Sequence, residues 1–500
     1  MTHLRLLLIL LAAALGGERA VPPGHQVLIA AAEQPNGGRS RRAGVAARSG
    51  PEGRFQTDVP KHAVDVILGR PTADSVTLSV LFYVDSKCRV AYGTRPDQLT
   101  FYTEVRTCRA GEPVEILLGS LKTDTQFYYE LQSLAGNKTQ SSGVAGRFHT
   151  QRPPGGAFTF VVQADSHLDG GTDPAMYART LENALADEPD FCIDLGDTFM
   201  VDKYGDDYGA SAKQYLAQRY YLGSLCRSAP LFLVLGNHDG EYGWRSGRGT
   251  DDIAAWSNEM RNRYFPNPLP SAFYSGNKAK GKRSGFLEDY YAWEWGDGLF
   301  IVLDPFWYTT RKPREDGDGW AWTLGETQYQ WLQRTLQNSK APYKFVFTHH
   351  LVGGSGRDAR GGSEAAKYFE WGGCSADGST GFKTMRPGWA EPIHDLLRDA
   401  HVTAVFHGHD HFFVKQELDG IVYQLVPQPG QPRSNAKRMA REYGYVNGDV
   451  FDGSGHLRVM ISASRVTVDF MRTSQADGSS GQCISAEPVY SYAVDGARQR

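Results

Sequence analysis

The chain has no apolar run long enough to cross a bilayer. Its longest, Leu6–Leu15, falls short of the roughly 18 residues that a span requires, and nothing later reaches that length. It has no excess of either charge: 53 Lys and Arg stand against 56 Asp and Glu, a net charge of −3. That balance gives no electrostatic reason to expect nucleic acid or an anionic membrane as a partner. Cysteine is scarce. The six in the chain (Cys88, Cys108, Cys192, Cys226, Cys374 and Cys483) fit an oxidising compartment without requiring one.

What is present is an ordinary globular composition, 41% hydrophobic and 22% charged, spread over 500 residues. That length exceeds what one core usually serves and implies two or three domains. Met1–Arg5, the apolar run and the small residues up to Ala20 have the pattern of a secretory signal peptide, residues 1–20. The protein is therefore expected to be secreted or periplasmic, with no membrane span in the mature chain. Residues 21–60 carry Gly, Pro, Ser and Arg clusters without periodicity and read as a flexible linker. Over 61–151, short runs such as Val76–Phe82, Cys88–Tyr92, Val114–Leu118 and Phe127–Leu131 are separated by turn residues, which predicts a small β-sandwich. Cys88 and Cys108 both fall in it and are the first candidates for a pair. Cys192 lies in an apolar run and reads as a small buried residue. Asn137-Lys138-Thr139 is a glycosylation sequon. Nothing in 61–151 stands out as a binding site, so a structural role is expected.

Beyond the linker Gln151–Gly156, strand and helix patterns alternate. Phe158–Val162 is a strand leading to Asp165-Ser166-His167. A helix follows with Asp173 as N-cap and Pro174 at its first position, its apolar stripe formed by Tyr177, Leu181, Ala184 and Leu185. Phe191–Ile193 is a strand leading to Gly196-Asp197, and a helix over roughly Ser211–Leu225 returns to the run Leu231–Leu235, which ends in Gly236-Asn237-His238-Asp239. This β-α-β-α-β order marks an α/β layer architecture. Glu241–Gly298 is an insertion rich in Gly, Arg, Tyr and Trp, the size of a lid, a substrate wall or an oligomer contact. Its Tyr242, Trp244, Arg245, Arg248 and Tyr274 are open alike to substrate contact, core packing or subunit contact. Strands resume at Leu299–Leu303, at Tyr343–Phe347 before Thr348-His349-His350, and at Val402–Phe406 before His407-Gly408-His409-Asp410-His411. Helices are expected near Gln328–Leu336 and Pro392–Arg398. Ile421–Val426, Leu457–Ser462 and Val466–Met471 are expected to finish a second sheet, leaving residues 476–500 as a tail.

Five strands thus end in metal-competent side chains: Asp165 with His167, Asp197, Asn237 with His238, His349, and His409 with His411. Each alone is also good turn chemistry. Together, in this order and at this repeated position, they point to one site built at the ends of a sheet. Asp165, His167, Asp197, Asn237, His349, His409 and His411 are seven side chains, too many for one tetrahedral centre with an open position. With Asp197 shared, two ions receive about four protein ligands each. Imidazole, carboxylate and amide donors without thiolate suit Mn, Fe, Co, Ni or Zn better than Ca. Two such ions can deprotonate a shared water and clamp the oxygens of an in-line displacement, the chemistry of phosphate-ester hydrolysis.

As a set, Asp165-Ser166-His167, Gly196-Asp197, Gly236-Asn237-His238-Asp239, Thr348-His349 and Gly408-His409-Asp410-His411 resemble the calcineurin-like metallophosphoesterases, over about Phe158–Met471. Leu121–Tyr129 resembles the fibronectin type III pattern before its sixth strand, with Phe127 where that pattern has a tyrosine. The combined layout resembles the purple acid phosphatases. The resemblance implies an α/β four-layer metallophosphoesterase sandwich, two mixed β-sheets flanked by helices, over 157–475, preceded by a small all-β fibronectin type III-like sandwich. It implies that Asp165, His167 and His411 hold one metal, that Asn237, His349 and His409 hold the other, and that Asp197 bridges. His350 is the alternative to His349 and otherwise lines the substrate pocket. His238 would reach the leaving-group oxygen, with Asp239 orienting that imidazole and favouring its protonated form. Two departures separate the chain from purple acid phosphatases. Met200 stands where they have a metal-binding tyrosine, and they lack a histidine equivalent to His167. A tyrosinate–iron colour is therefore not expected, and iron and an acid optimum do not follow from the layout.

The reading is an exported dinuclear phosphohydrolase, with two transition-metal ions (Fe, Mn or Zn), acting on small-molecule phosphate esters. Monoesters are preferred on domain layout, and diester or nucleotide hydrolysis is the alternative. A binding protein that had kept the fold and lost the chemistry would show gaps in the ligand set, and there are none.

Overall fold

The apolar runs at 158–163, 191–194 and 231–233 lack polar alternation because both of their faces are covered. Phe158, Phe160, Val162, Phe191, Ile193 and Phe232 pack into a core between two sheets, whereas Val161, Cys192, Leu231 and Leu233 pack outward with helices. The computed structural model describes residues 55–474 and 488–496, apart from 136–137, 248–251, 314–317 and 433–434. In it the three strands are parallel neighbours. They belong to a six-stranded sheet in the order Leu231–Leu233, Phe191–Asp194, Phe158–Gln163, Gly455–Ser462, Arg465–Arg472, Tyr490–Asp495. The facing eight-stranded sheet has Gly298–Val302, Tyr343–Thr348 and Ala404–His407 parallel at its centre. Aromatic rings fill the space between: Phe232 stacks on Trp293 at 3.9 Å, and Phe160 meets Phe300 edge-on at 5.3 Å.

Helices Pro174–Ala186, Ala212–Cys226 and Ile253–Tyr264 cover the outer face of the first sheet through Tyr177, Leu181, Tyr215, Leu222 and Met260. Gly325–Asn338 and Ile393–Asp399 cover the second through Leu332, Leu336, Ile393 and Leu397. The architecture is a four-layer sandwich, two mixed β-sheets flanked by helices, as the sequence implies. Asp173 caps its helix as expected, accepting from Ala175 N at 2.9 Å and Met176 N at 3.2 Å.

Four features differ from the sequence reading. The Gly455–Ser462 and Arg465–Arg472 hairpin joins the first sheet, antiparallel to Phe158–Gln163, rather than finishing the second. Alternation tells which face of a strand is buried but not which sheet takes it. Residues 476–500 are not all tail: Tyr490–Asp495 pairs with Arg465–Arg472, carrying the sheet past 475. The insertion contains the helix Ile253–Tyr264, capped by Asp252 through Ala255 N at 2.9 Å. That helix buries Asn258 and Arg261 as well as apolar residues, so it shows no clean apolar stripe. The end of the expected linker is held: Gln56 N donates to Leu168 O at 2.6 Å, and Phe55 stacks on Tyr204 at 4.8 Å. The signal peptide, most of the linker, Asn137, Arg248 and Cys483 lie outside the described residues.

The N-terminal all-β region is two antiparallel sheets, Val64–Gly69 with Val76–Phe82 and Val114–Leu118, facing Phe101–Tyr102, Ser86–Gly93, Gln126–Ala135 and Lys138–His149. This arrangement is consistent with a fibronectin type III-like sandwich. Phe127 is buried against Phe148 at 5.5 Å. Cys88 and Cys108 sit on paired strands as thiols with their sulfurs 3.4 Å apart. The β region is tied to the helix Ala212–Cys226 and the turn after it by polar contacts. Buried Arg219 donates to the Ser79 hydroxyl and carbonyl, each at 2.9 Å, and the Tyr129 hydroxyl donates to Arg227 O at 2.7 Å. Hydrogen bonds from both terminal nitrogens offset part of the cost of burying this guanidinium. Among the described residues, no helix is long and apolar enough to cross a membrane.

Candidate metal centre

The loops leaving the parallel strands are laced to one another through their backbones. Asp165 N donates to Gly196 O at 3.0 Å, His167 N to Asp197 O at 3.2 Å and Gly408 N to His349 O at 3.0 Å. Side chains complete the lacing: Asp165 Oδ2 accepts from His409 N at 2.9 Å and Asp197 Oδ1 from His238 N at 2.7 Å. Asp165, His167, Asp197, His409 and His411 all have positive φ, between 49° and 75°. That conformation costs a non-glycine residue roughly 1–2 kcal/mol, and its concentration at five such residues marks a functional constraint. Gly236 is required sterically, because a Cβ there would lie 2.1 Å from Asp197 N and 2.3 Å from Asp197 Oδ1.

The seven candidate side chains lie close together. Asp165, His167 and His411 form one group that could hold a cation, and Asp197, His349 and His409 form another. Around Asp165 Oδ1 the His411 Nε2 lies at 3.5 Å and the His167 Nε2 at 3.7 Å. Around Asp197 Oδ2 the His349 Nε2 lies at 3.3 Å and the His167 Nε2 at 3.7 Å, so this one oxygen faces both groups. Asn237 Oδ1 is 3.0 Å from His349 Nε2. Donors bound at about 2.0–2.2 Å to a tetrahedral ion stand about 3.4 Å from one another, which is the spacing seen.

Whether these residues fit metal ions is decided by their unpaired atoms. Asp165 Oδ1, Asp197 Oδ2 and His167 Nε2 are buried without a hydrogen-bond partner. Two unpaired carboxylate oxygens in a closed site leave negative charge that a cation would neutralise. The imidazoles are oriented by their second nitrogens. His349 Nδ1 donates to Leu195 O at 2.8 Å, leaving Nε2 for the centre, and His409 Nε2 donates to Asp358 O at 2.6 Å, leaving Nδ1. Burial alone would lower the His349 pKa, but Asp197 and Asp165 overcome it and push it up to about 9, another sign of a site that favours positive charge.

His238 lies at the edge of this centre, its Nε2 3.9 Å from Asp197 Oδ2. Its orienting partner is not Asp239. His238 Nδ1 is 3.0 Å from both carboxylate oxygens of Asp202, a residue the sequence reading passed over. Asp239 turns inward and accepts from the backbone of Gly236 at 2.7 Å, Phe199 at 2.8 Å, Thr198 at 2.9 Å and Asp197 at 3.0 Å. It is a buried clamp on the loops that carry Asp197 and Asn237. Burial, then the Asp197 charge, raises its pKa to about 7 against the opposing backbone donors. Being next to a histidine in sequence sent Asp239 to the opposite side. Asp202 comes from a short 3₁₀ turn, Val201–Tyr204, that no periodicity announces.

A cleft of about 490 Å³ opens over the centre, lined by Asn237, His238, His350 and His409 and walled by Tyr242, Trp244, Arg245 and Trp322. Lys203, Lys312 and Arg360 add positive charge to its rim, against Asp202 and Asp358. Of the open candidates in the insertion, Tyr242, Trp244 and Arg245 therefore face the site. Tyr274 is core, 3% exposed and bonded to Pro71 O. His350 lines the cleft rather than joining either ligand group.

The calcineurin-like phosphoesterase family model matches residues 158–413. The chain belongs to this family. Its fold is similar to that of PhoD, with a TM-score of 0.60 at 15% identity over 89% of this chain and 90% of that one. It is also similar to purple acid phosphatase PPD1 from yellow lupin (Lupinus luteus) seeds, with a TM-score of 0.55 at 14% identity over 87% and 74% of the two chains. No curated protein matches. For this calcineurin-like phosphoesterase, the matched span contains all five strand ends that carry candidate ligands.

Proposed function

We propose that the protein is an exported, dinuclear metal-dependent phosphohydrolase acting on small phosphate esters, with monoesters preferred. The observation that carries the reading is the unpaired Asp197 Oδ2 facing His167 on one side and His349 on the other. Asp165, His167 and His411 would hold one ion, Asn237, His349 and His409 the second, and Asp197 both. When bound, the ions would supply Lewis acidity at phosphoryl oxygens and lower the pKa of water at the site. The chain's own groups do the rest. A doubly protonated His238 gives its Nδ1–H to Asp202 and turns Nε2–H toward the cleft, and that Nε2 proton passes to the departing oxygen, leaving the neutral Nδ1–H ring. The rim cations attract and orient the anionic ester. Asp239 keeps the Asp197 and Asn237 loops in register.

Phosphate release from paired mono- and diesters, with Mn, Fe or Zn supplied, tests this. Metal-dependent release abolished by Asp197→Ala supports it. Much faster turnover of diesters would reverse the monoester preference, and absence of metal-dependent release from every ester would reject the hydrolase reading. Export is supported by the N-terminal pattern and is tested by fractionating cells that express the full chain.

A further inference from the structure

We propose that the cleft wall formed by His350, Trp322 and Arg245 is a leaving-group subsite selecting phosphate esters of polyhydroxylated alcohols, with His350 Nε2 accepting a substrate hydroxyl. The inference rests on the hydrolase reading and names the substrate class that reading leaves open.

His350 is 2% exposed and lines the cleft. Its Nδ1 lies 2.9 Å from the Leu351 carbonyl oxygen, which can only accept, so Nδ1 carries the proton and Nε2 the lone pair. That Nε2 has no hydrogen-bond partner. The ring is held by Trp322, edge-on at 4.7 Å, and by Phe306 at 5.2 Å, so turning to find a partner would disturb both. A buried acceptor fixed at the wall of a cleft calls for a donor from whatever enters it. Metal-bound phosphate carries no such donor on its ionised oxygens. The alcohol part of the ester can.

Arg245 supplies the complementary group. Its Nε is buried in the wall without a partner, a donor calling for an oxygen. Tyr242 and Trp244 stack at 4.5 Å and Trp322 stands edge-on to Trp244 at 5.7 Å, which makes an apolar wall behind the two polar atoms. An acceptor, a donor and an aromatic wall match a polyol or sugar, which presents hydroxyl groups on a C–H framework. The alkyl group of a simple ester would satisfy neither atom. A site built to hydrogen-bond a hydroxyl discriminates strongly against an analogue without it, because its own buried groups are then left unpaired.

The test compares D-ribose 5-phosphate with n-pentyl phosphate, and the methyl diester of each, in the metal-loaded wild type, His350→Phe and His350→Gln. The wild type should favour the ribose ester over its pentyl partner by about tenfold or more in kcat/KM. His350→Phe should remove most of that preference, with kcat/KM falling more on the ribose ester than on the pentyl ester. His350→Gln, which offers an amide oxygen, should restore part of it. Binding gives an independent readout: ribose 5-phosphate should change the tryptophan fluorescence of metal-free wild type more than inorganic phosphate does, and less so in His350→Phe. Equal turnover of ribose and pentyl esters by the wild type overturns the subsite and leaves the hydrolase reading standing. Parallel loss on both esters in His350→Phe, or loss of a metal ion from it, also overturns the subsite, by making His350 part of the centre or of the fold. A wild type inactive on all four esters with both ions bound rejects the hydrolase reading and the subsite with it.

Discussion

Replacing Asp202 with Asn should slow hydrolysis of alkyl esters by about 10- to 100-fold without changing metal content. Both oxygens of Asp202 sit 3.0 Å from His238 Nδ1 and fix that ring's tautomer and direction. An amide in the same place is uncharged, so it no longer supports the doubly protonated ring that gives its proton from Nε2. Loss of an orienting partner of this kind typically costs 10- to 100-fold, about 1.4–2.7 kcal/mol of barrier, whereas loss of a general acid itself costs about 10²–10⁴-fold. His238→Ala should therefore be the more severe variant. Because Asp202 acts through His238, the double variant should be no slower than His238→Ala within about threefold. The assay is a double-mutant cycle in kcat on an alkyl ester and on an aryl ester with a good leaving group. The aryl ester needs little protonation, so both single variants should lose much less on it. Independent, multiplying losses in the double variant, or equal losses on both esters, would refute the assignment.

Four further outcomes follow from named contacts. Asp239→Asn should cost roughly 2–4 kcal/mol of stability, read by chemical denaturation, because four buried N–H groups lose a carboxylate acceptor. Gly236→Ala should weaken binding at the centre, read as metal content, since its Cβ would lie 2.3 Å from Asp197 Oδ1. Burial pushes the Glu288 carboxyl up to about 8 against the opposing pull of Arg70 and Arg261. The unfolded chain thus releases this proton first, and the group's contribution to stability falls as pH rises from about 4.5 through 8. Glu288→Gln should accordingly raise the Tm relative to wild type more at pH 8 than at pH 5, and a pH-independent difference would contradict this. Ferric iron loaded into the protein should give no tyrosinate charge-transfer band in the visible spectrum, because Met200 is not a tyrosine.

The residues of the candidate centre were legible in the sequence because strand ends are a local signal. Each apolar run stops a few residues before a histidine or aspartate, and the parallel strands of the two facing sheets bring these ends together at one edge of the sandwich. The α/β core was legible for the same reason, through the alternation of runs and capped helices such as Asp173–Pro174. What stayed hidden depends on contacts between distant segments. Nothing local distinguishes Asp202, in a short turn, from any surface aspartate, and nothing local tells that Asp239 turns away from the histidine beside it. The Gly455–Ser462 hairpin shows alternation but not its destination, since the core between the sheets accepts apolar side chains from either. The helix Ile253–Tyr264 carries buried Arg261, paired with Glu241 at 2.6 Å, so its buried face does not read as apolar. The wall residues Tyr242, Trp244 and Arg245 could be named from composition, but only the fold separates them from Tyr274, which packs in the core.

The central claim is that one oxygen, Asp197 Oδ2, serves two ions. Metal content per folded chain, measured by elemental analysis after reconstitution with Mn, Fe or Zn, tests it most directly. The account predicts about two ions in the wild type, about one in His411→Ala with Asp197 intact, and well under one in Asp197→Ala. One ion or fewer in the wild type, or two retained in Asp197→Ala, would contradict it.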